Sequence, residues 1–125
     1  MTNTQRLLIL GTGSIAERHA VQFGALEGCA IVAAVDTDAA RVAAYGDAHG
    51  IGHRFTDLEA ALAWGGFDAA VNATPDPVHY PTTMRLLAAG KHVFCEKPLA
   101  VNHVDAFAMT EAFMRVAKFR SITIR

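Results

Sequence analysis

The sequence predicts an α/β fold: a doubly wound parallel sheet of about six strands with helices on both faces, in three layers. Short apolar runs bounded by turn residues alternate with segments of helical periodicity along the chain. Such alternation is typical of parallel β–α units. Hydrophobic residues form 52% of the 125 residues, as expected for strands that are buried on both faces. The expected strand order is 3-2-1-4-5-6.

The first half of the chain contains three strand–helix pairs. Ile15, His19 and Leu26 recur at helical spacing in the first helix. Asp38 is an expected N-cap of the second helix, and Gly50 is its expected end. The predicted elements are, in order, a strand Arg6–Gly11, a helix Ser14–Leu26, a strand Ala30–Asp36, a helix from Asp38 to about Ala48, a strand His53–Phe55 and a helix Asp57–Trp64.

The second half continues the alternation. Gly90 stands where a glycine commonly ends a helix, and Asn102 is an expected N-cap. The predicted elements are a strand Phe67–Ala73, a helix from Pro77 to Ala89, a strand Lys91–Cys95, a helix from Asn102 to about Lys118 and a strand Arg120–Ile124.

We expect one domain over residues 1–125, with an atypical tail at residues 112–125. The length suits a single domain. No glycine follows Gly90, although a glycine turn after the last helix would be expected. Two explanations stay open: the tail is a genuine helix and strand, or the reading frame is altered near Ala112.

Composition excludes several classes of function. With 11 Lys and Arg against 12 Asp and Glu, and no basic run, we expect neither nucleic acid nor an anionic membrane as partner. The start is polar and no apolar run approaches the roughly 20 residues that span a bilayer.

Cys29 and Cys95 match no metal or redox spacing and are expected to be buried free thiols. We therefore expect a cytoplasmic protein without a metal site. Surface or edge positions are expected for His49, His53, His92 and His103.

The first strand–helix turn has the spacing of a dinucleotide-binding loop. Gly11 allows the tight turn, Gly13 lets a pyrophosphate approach the backbone, and Ala16 lets the helix pack on the strand. Asp36 follows 20 positions after Ala16, at the end of the second strand, where a carboxylate can accept a hydrogen bond from the adenosine ribose. That carboxylate would repel a 2′-phosphate, so we expect NAD rather than NADP. Arg41 is the alternative signal, since it could help to hold a 2′-phosphate.

Two further segments follow the fourth and fifth strands: residues 72–79 (NATPDPVH) and residues 95–100 (CEKPLA). Taken alone, they would be a turn before a helix and a solvated ion pair. With GTGSIA and Asp36 before them, NATPDPVHY and AAGKHVFCEKPLA resemble the glucose–fructose oxidoreductase, inositol dehydrogenase and MocA family. The resemblance covers about residues 6–105 and implies a three-layer Rossmann fold.

The resemblance also implies site residues. His19 fits the family pattern too, although helix packing is the favoured interpretation. Lys97 would be the catalytic residue, relaying the proton of a secondary alcohol. The implied cofactor-binding residues are Gly11, Gly13, Ser14 and Ile15 for the pyrophosphate, Asp36 and Thr37 for the adenosine ribose, Thr74, Pro75 and His79 along the dinucleotide channel, and Glu96 and Lys97 near the nicotinamide.

Three functions stay open at this point. The first is the NAD-binding domain of an oxidoreductase acting on a sugar or polyol, which binds cofactor without full turnover because the family's second, substrate-binding domain is absent. The second is a stand-alone NAD-binding regulatory module. The third is a structural module that self-associates through the face which the absent domain would cover.

Overall fold

The structure of the chain is a computed structural model that describes residues 4–95 and 123–124. Its strands are β1 (Gln5–Leu10), β2 (Cys29–Val35), β3 (His53–Phe55), β4 (Ala69–Asn72), β5 (His92–Cys95) and β6 (Thr123–Ile124). Its helices are α1 (Ser14–Gly24), α2 (Ala39–His49), α3 (Leu58–Trp64) and α4 (Asp76–Ala88). Two residues of the predicted last strand thus form β6, whereas the predicted helix from Asn102 to about Lys118 lies outside the described residues.

The strands form one sheet in the order β3-β2-β1-β4-β5-β6. Every neighbouring pair is parallel, which confirms the predicted topology. β1 lies at the centre, between β2 and β4. β2 and β3 are added on one side of β1, and β4 to β6 on the other, so the strand order reverses at β1. The loops after β1, β2 and β4 lie at the carboxyl edge of the sheet, and open α/β sheets bind ligands at this edge where the order reverses.

Several predicted strand boundaries lie one or two residues from the observed ones, and β2 and β4 are examples. β2 ends at Val35, one residue before the predicted Asp36, whose side chain accepts a hydrogen bond from the loop that follows β1. The fourth strand covers Ala69–Asn72, not Phe67–Ala73. Phe67 is only 1% exposed, so it belongs to the core although it precedes the strand. The apolar run therefore predicted correctly that these residues are buried, but it overestimated the length of the strand.

The predicted caps of α2 are present, and α3, predicted to start at Asp57, has Asp57 as its N-cap. Asp38 and Asp57 each accept a hydrogen bond from the backbone N–H three residues further on, at 3.0 and 2.7 Å. Gly50 and Gly65 end these helices in the left-handed conformation, with φ of +67° and +69°. The start and the end of each of these two helices are therefore determined by the local sequence, through an N-cap aspartate and a C-terminal glycine.

Each face of the sheet has its own apolar core. Successive residues of β1 point to opposite faces, as the period of a strand requires. The core on the α3 and α4 face includes Leu8, Leu10, Val35, Phe67, Leu86 and Val93. The core on the α1 and α2 face includes Ile9, Ala34, Val42, Tyr45, Ile51 and Val71.

α1 ends at Gly24, two residues before the predicted Leu26. His19 of this helix is 1% exposed, and its ring lies 6.0 Å from that of Phe23 and 5.8 Å from that of Phe94. These contacts agree with a packing role for His19 beneath the sheet.

Two expectations about polar side chains need correction. Cys29 is a free thiol but is only half-buried, at the first position of β2. His49 is more than a surface residue: its Nε2 lies 2.7 Å from Oε2 of Glu17, and its ring packs on Tyr45. This contact ties the end of α2 to the start of α1. The side chain of Cys95 lies outside the described part of the structure.

Candidate functional site

The turn after β1 requires a glycine at position 11. Gly11 has a φ of +90°, a conformation that L-residues rarely adopt. A Cβ at this position would lie 2.9 Å from the carbonyl oxygen of Ala73 and 3.1 Å from the nitrogen of Thr74. The glycine loop and the loop after β4 are therefore in backbone contact, which no larger residue would allow.

Gly13 differs from Gly11, because the fold itself does not require it. Its φ of −77° is open to any residue, and a Cβ at this position would meet nothing within 4 Å among the described atoms. Gly13 occupies the N-cap of α1, and no described side chain caps this helix. A glycine that the protein does not need, at an uncapped helix start, fits a backbone surface kept free for a phosphate.

The third position of the loop is filled as its role demands. Ala16 is fully buried against the α1 and α2 face of the sheet. The hydroxyl of Tyr45 donates to its carbonyl oxygen at 2.7 Å, and burial raises the pKa of that phenol. Ser14 and Ile15, predicted to bind pyrophosphate, are exposed at the start of α1.

Asp36 is attached to the glycine loop. Its Oδ2 accepts two hydrogen bonds from Thr12, one from the backbone N–H at 2.9 Å and one from the hydroxyl at 2.7 Å. Its Oδ1 accepts the backbone N–H of Asp38 at 2.9 Å. The structure thus brings Asp36 to the loop as predicted and adds Thr12, which the sequence analysis missed. The glycine pattern accepts any residue at this position, so the sequence carries no signal for it.

The Asp36 carboxyl is charged at neutral pH. Burial raises its pKa, but the hydrogen bonds from Asp38 and Thr12, with the positive charge of Arg41, outweigh burial and hold the pKa below the usual value. Nη1 of Arg41 lies 3.9 Å from Oδ2. The side chain of Arg41 is 56% exposed and that of Asp36 only 9%, so the carboxylate is the buried, hydrogen-bonded charge of the pair and the guanidinium the exposed one.

The loop after β4 is held by a buried amide. Asn72 is fully buried, and its Nδ2 donates to the hydroxyls of Thr82 and Thr83 of α4, at 2.9 and 2.8 Å. Its Oδ1 accepts the hydroxyl of Thr74 at 2.6 Å and the Thr74 backbone N–H at 3.2 Å. The hydroxyl of Thr74, a predicted channel residue, is therefore engaged with the protein, and Asn72 shapes the loop. The sequence signal for Asn72 was its position at the strand end.

Of the remaining predicted residues, some are exposed near the site and others lie outside the described part of the structure. Pro75 is exposed at the start of α4, and Thr37 is exposed directly after Asp36. His79 lies within α4, but its side chain is outside the described part of the structure. Glu96 and Lys97 lie outside the described residues. Within residues 4–95 and 123–124, no three His, Cys, Asp or Glu side chains are grouped to hold a metal ion, and no helix is long and apolar enough to cross a bilayer.

Comparison with known proteins gives the same assignment. Residues 5–121 match the profile of the GFO/IDH/MocA oxidoreductase family, NAD-binding Rossmann fold. A 1,5-anhydro-D-fructose reductase from Ensifer adhaerens is 35% identical over 104 residues, which are 83% of this chain and 31% of that protein. A scyllo-inositol 2-dehydrogenase (NADP(+)) from Bacillus subtilis is 30% identical over 119 residues, which are 95% of this chain and 35% of that protein.

A solved structure shares the fold over nearly the whole chain. It is an oxidoreductase from Agrobacterium radiobacter in complex with NAD+, L-tartaric acid and magnesium, with a TM-score of 0.89 and 28% identity. The match covers 98% of this chain and 34% of that one. This chain spans about a third of the length of the relatives it matches. The family profile, the strand order and the glycine loop agree, and the chain belongs to the GFO/IDH/MocA oxidoreductase family, in which it corresponds to the NAD-binding Rossmann domain.

Proposed function

We propose that residues 1–125 form the nucleotide-binding domain of an oxidoreductase that moves a hydride between NAD and a hydroxyl of a sugar or polyol. One observation carries this proposal: a charged Asp36 is fixed against a glycine loop in which Gly13 serves no need of the fold. A structural turn alone would account for Gly11 but not for Gly13 or for a buried, hydrogen-bonded carboxylate beside it.

The pyrophosphate of the cofactor fits the start of α1. Backbone N–H groups in the first turn of a helix lack intrahelical partners and lie at the positive end of the helix dipole. Gly13, Ser14 and Ile15 form that start, and Ser14 and Ile15 are exposed. α2 and α3 each start with an aspartate cap, whereas α1 starts with a glycine. We therefore assign the phosphates to α1.

The adenosine ribose fits the end of β2. Asp36 and Thr37 lie at the same edge as the glycine loop, and Oδ1 of Asp36 can accept a ribose hydroxyl. A 2′-phosphate would meet the charge of Asp36, so we propose NAD as the preferred cofactor. Arg41 opposes this preference, because its exposed guanidinium lies close enough to compensate a phosphate. Asp36 is the more buried and better fixed of the two charges.

The channel and the catalytic residue are assigned on the resemblance. Thr74, Pro75 and His79 follow β4, beside the glycine loop, and would line the path towards the nicotinamide. Glu96 would contact the nicotinamide ribose. NAD, when bound, accepts the hydride from the carbon of a secondary alcohol. Lys97 would take or relay the hydroxyl proton and stabilise the developing negative charge on the oxygen.

We propose that this chain, in the cytoplasm, binds NAD(H) without full turnover. It spans about a third of the length of its relatives, and full turnover requires walls that hold a substrate and exclude water. The same reasoning leaves a non-catalytic, NAD-binding role as the alternative. Turnover of NAD with a polyol by the purified chain would contradict this part of the proposal.

We also propose that two copies of the chain associate through the apolar face that the family's second domain would cover, and we place that face on the α1 side of the sheet. A groove of about 130 Å³ crosses β1, β4 and β5, and it is lined by Leu7, Phe23, Val71, His92 and Phe94, among others. Val21, in α1, is an apolar residue that is 68% exposed. Exposed apolar surface of this kind favours association. Light scattering over a range of concentrations tests this, and a monomer at every concentration would refute it.

Cofactor binding is tested by titrating the purified chain with NADH and NADPH while nicotinamide fluorescence is followed. The informative variant is Asp36→Ala, and its matched control is Asp68→Ala. Both aspartates accept three hydrogen bonds, Asp36 at the carboxyl edge of the sheet and Asp68 from Arg6 at the opposite edge. The control therefore removes the same chemistry without touching the site.

We expect NADH to bind more tightly than NADPH. Asp36→Ala should weaken NADH binding about tenfold, the effect of one hydrogen bond to a charged group, and should reduce the preference for NADH. Asp68→Ala should leave both affinities unchanged. Failure of the wild-type chain to bind either nucleotide would refute the proposal. Equal effects of the two variants would show that the loss reflects stability and not contact with the ribose.

A further inference from the structure

Thr12 connects the glycine loop to the residue that reads the ribose. It is 6% exposed, and its backbone N–H and its hydroxyl both donate to one oxygen, Oδ2 of Asp36. A side chain placed there for packing alone would not need a hydroxyl. The hydroxyl instead restricts rotation of the carboxylate, because its 2.7 Å bond holds Oδ2 while the N–H of Asp38 holds Oδ1.

The acceptor positions of the carboxylate can be counted. An ionised carboxylate has about four lone-pair positions, two on each oxygen. Thr12 uses both positions of Oδ2, and the N–H of Asp38 uses one of Oδ1. One position remains, on Oδ1. The nearby charge of Arg41, at 3.9 Å, also lies on the Oδ2 side.

We propose that Thr12 is a positioning residue for the adenosine ribose: by occupying Oδ2 it makes Asp36 an acceptor for a single ribose hydroxyl, through Oδ1. The inference rests on the proposed binding of a dinucleotide at this loop. Thr12 does not itself contact the ligand; it fixes the direction in which Asp36 presents its remaining lone pair. Ribose recognition is thus asymmetric, with one of the two vicinal hydroxyls bound by Asp36 and the other left to further groups.

The test uses ADP, 2′-deoxy-ADP and 3′-deoxy-ADP as probes, measured by calorimetric titration of the full chain. In the wild type, loss of one hydroxyl should weaken binding about tenfold, the usual effect of a hydrogen bond to a charged group. Loss of the other hydroxyl should change the affinity less than threefold. Equal losses for the two deoxy probes would overturn the single-hydroxyl assignment.

The variants are Thr12→Val, which keeps the shape and removes the hydroxyl, and Thr12→Ser, which keeps the hydroxyl. Thr12→Val should weaken ADP binding by roughly three- to tenfold and reduce the difference between the two deoxy probes, because the freed carboxylate can turn either oxygen to the ribose. Thr12→Ser should restore both the affinity and the difference. Wild-type behaviour of Thr12→Val would overturn the proposal.

A double-mutant cycle separates positioning from packing. If Thr12 acts through Asp36, then Thr12→Val should have no further effect on ADP affinity in the Asp36→Ala background. Additive effects would mean that Thr12 acts on its own and would overturn the inference. Failure of the wild-type chain to bind ADP or NADH would instead refute the proposed function itself, so the two failures are distinguishable. Thermal melting of each variant shows that the chain compared is folded.

Discussion

The two glycines of the loop should respond in opposite ways to the same substitution. Gly11→Ala and Gly13→Ala each add one methyl group, two residues apart. At position 11 the methyl meets a positive φ and the carbonyl oxygen of Ala73 at 2.9 Å; at position 13 it meets an ordinary φ and no described atom within 4 Å. We therefore expect Gly11→Ala to act on stability and Gly13→Ala to act on binding.

The magnitude follows from these contacts. A non-glycine residue at positive φ is strained by about 1–2 kcal/mol, and relief of a contact with fixed backbone adds roughly 1–3 kcal/mol. The free energy of unfolding should thus fall by about 2–5 kcal/mol for Gly11→Ala. With an unfolding entropy of about 2.1 cal/mol/K per residue, this lowers the Tm of a chain of this size by roughly 8–19 °C. For Gly13→Ala the change should stay within about 0.5 kcal/mol.

The assay pairs thermal melting with NADH titration at a temperature where both variants are folded. Gly13→Ala should melt like the wild type and bind NADH at least about tenfold more weakly, since the methyl lies where a phosphate must approach the backbone. A Gly13→Ala variant that binds NADH normally would refute the assignment of the phosphates to this turn. A Gly11→Ala variant with an unchanged Tm would refute the argument from close backbone contact.

Two further predictions concern polar groups away from the loop. Asn72→Ala should lower the free energy of unfolding by about 2–4 kcal/mol in urea denaturation, because it removes a buried amide together with its hydrogen bonds to the buried hydroxyl of Thr83 and the half-buried hydroxyl of Thr82; an effect below 1 kcal/mol would contradict this. The hydrogen bonds from Arg6 hold the pKa of Asp68 below its usual value, so this carboxylate stabilises the fold above pH about 4 and the effect is lost as the pH falls through the lower folded pKa. Melting curves of wild type and Asp68→Asn should therefore converge at acid pH, and a constant difference down to pH about 2 would rule out this linkage.

The sheet and its order could be predicted because most strands are short apolar runs and because α2 and α3 have local start and stop signals. Asp38 and Gly50 are examples, since a cap depends on residues three or four apart. The ends of the strands were harder. Phe67 is apolar and buried but precedes its strand, and hydrophobicity reports burial without reporting which backbone groups pair.

The residues of the candidate site were also predictable only in part. Gly11, Gly13 and Asp36 were found because their spacing within one β–α–β unit reflects a shared geometry. Thr12 was missed because its contact with Asp36 spans 24 residues and depends on how β1 and β2 align. The pairing of Asn72 with α4 depends on the path of a turn that composition does not specify.

The hydrogen bonds of Asn72 bear on the thermodynamics and rate of ligand capture. In the turn after β4, the backbone N–H and the hydroxyl of Thr74 are already hydrogen-bonded to Asn72 without a nucleotide. Ordering a loop on binding opposes affinity, and a segment that was ordered during folding escapes that penalty. Association at this edge should accordingly proceed without a slow loop-closing phase, with a heat-capacity change that reflects the surface buried by the ligand and little refolding of the protein.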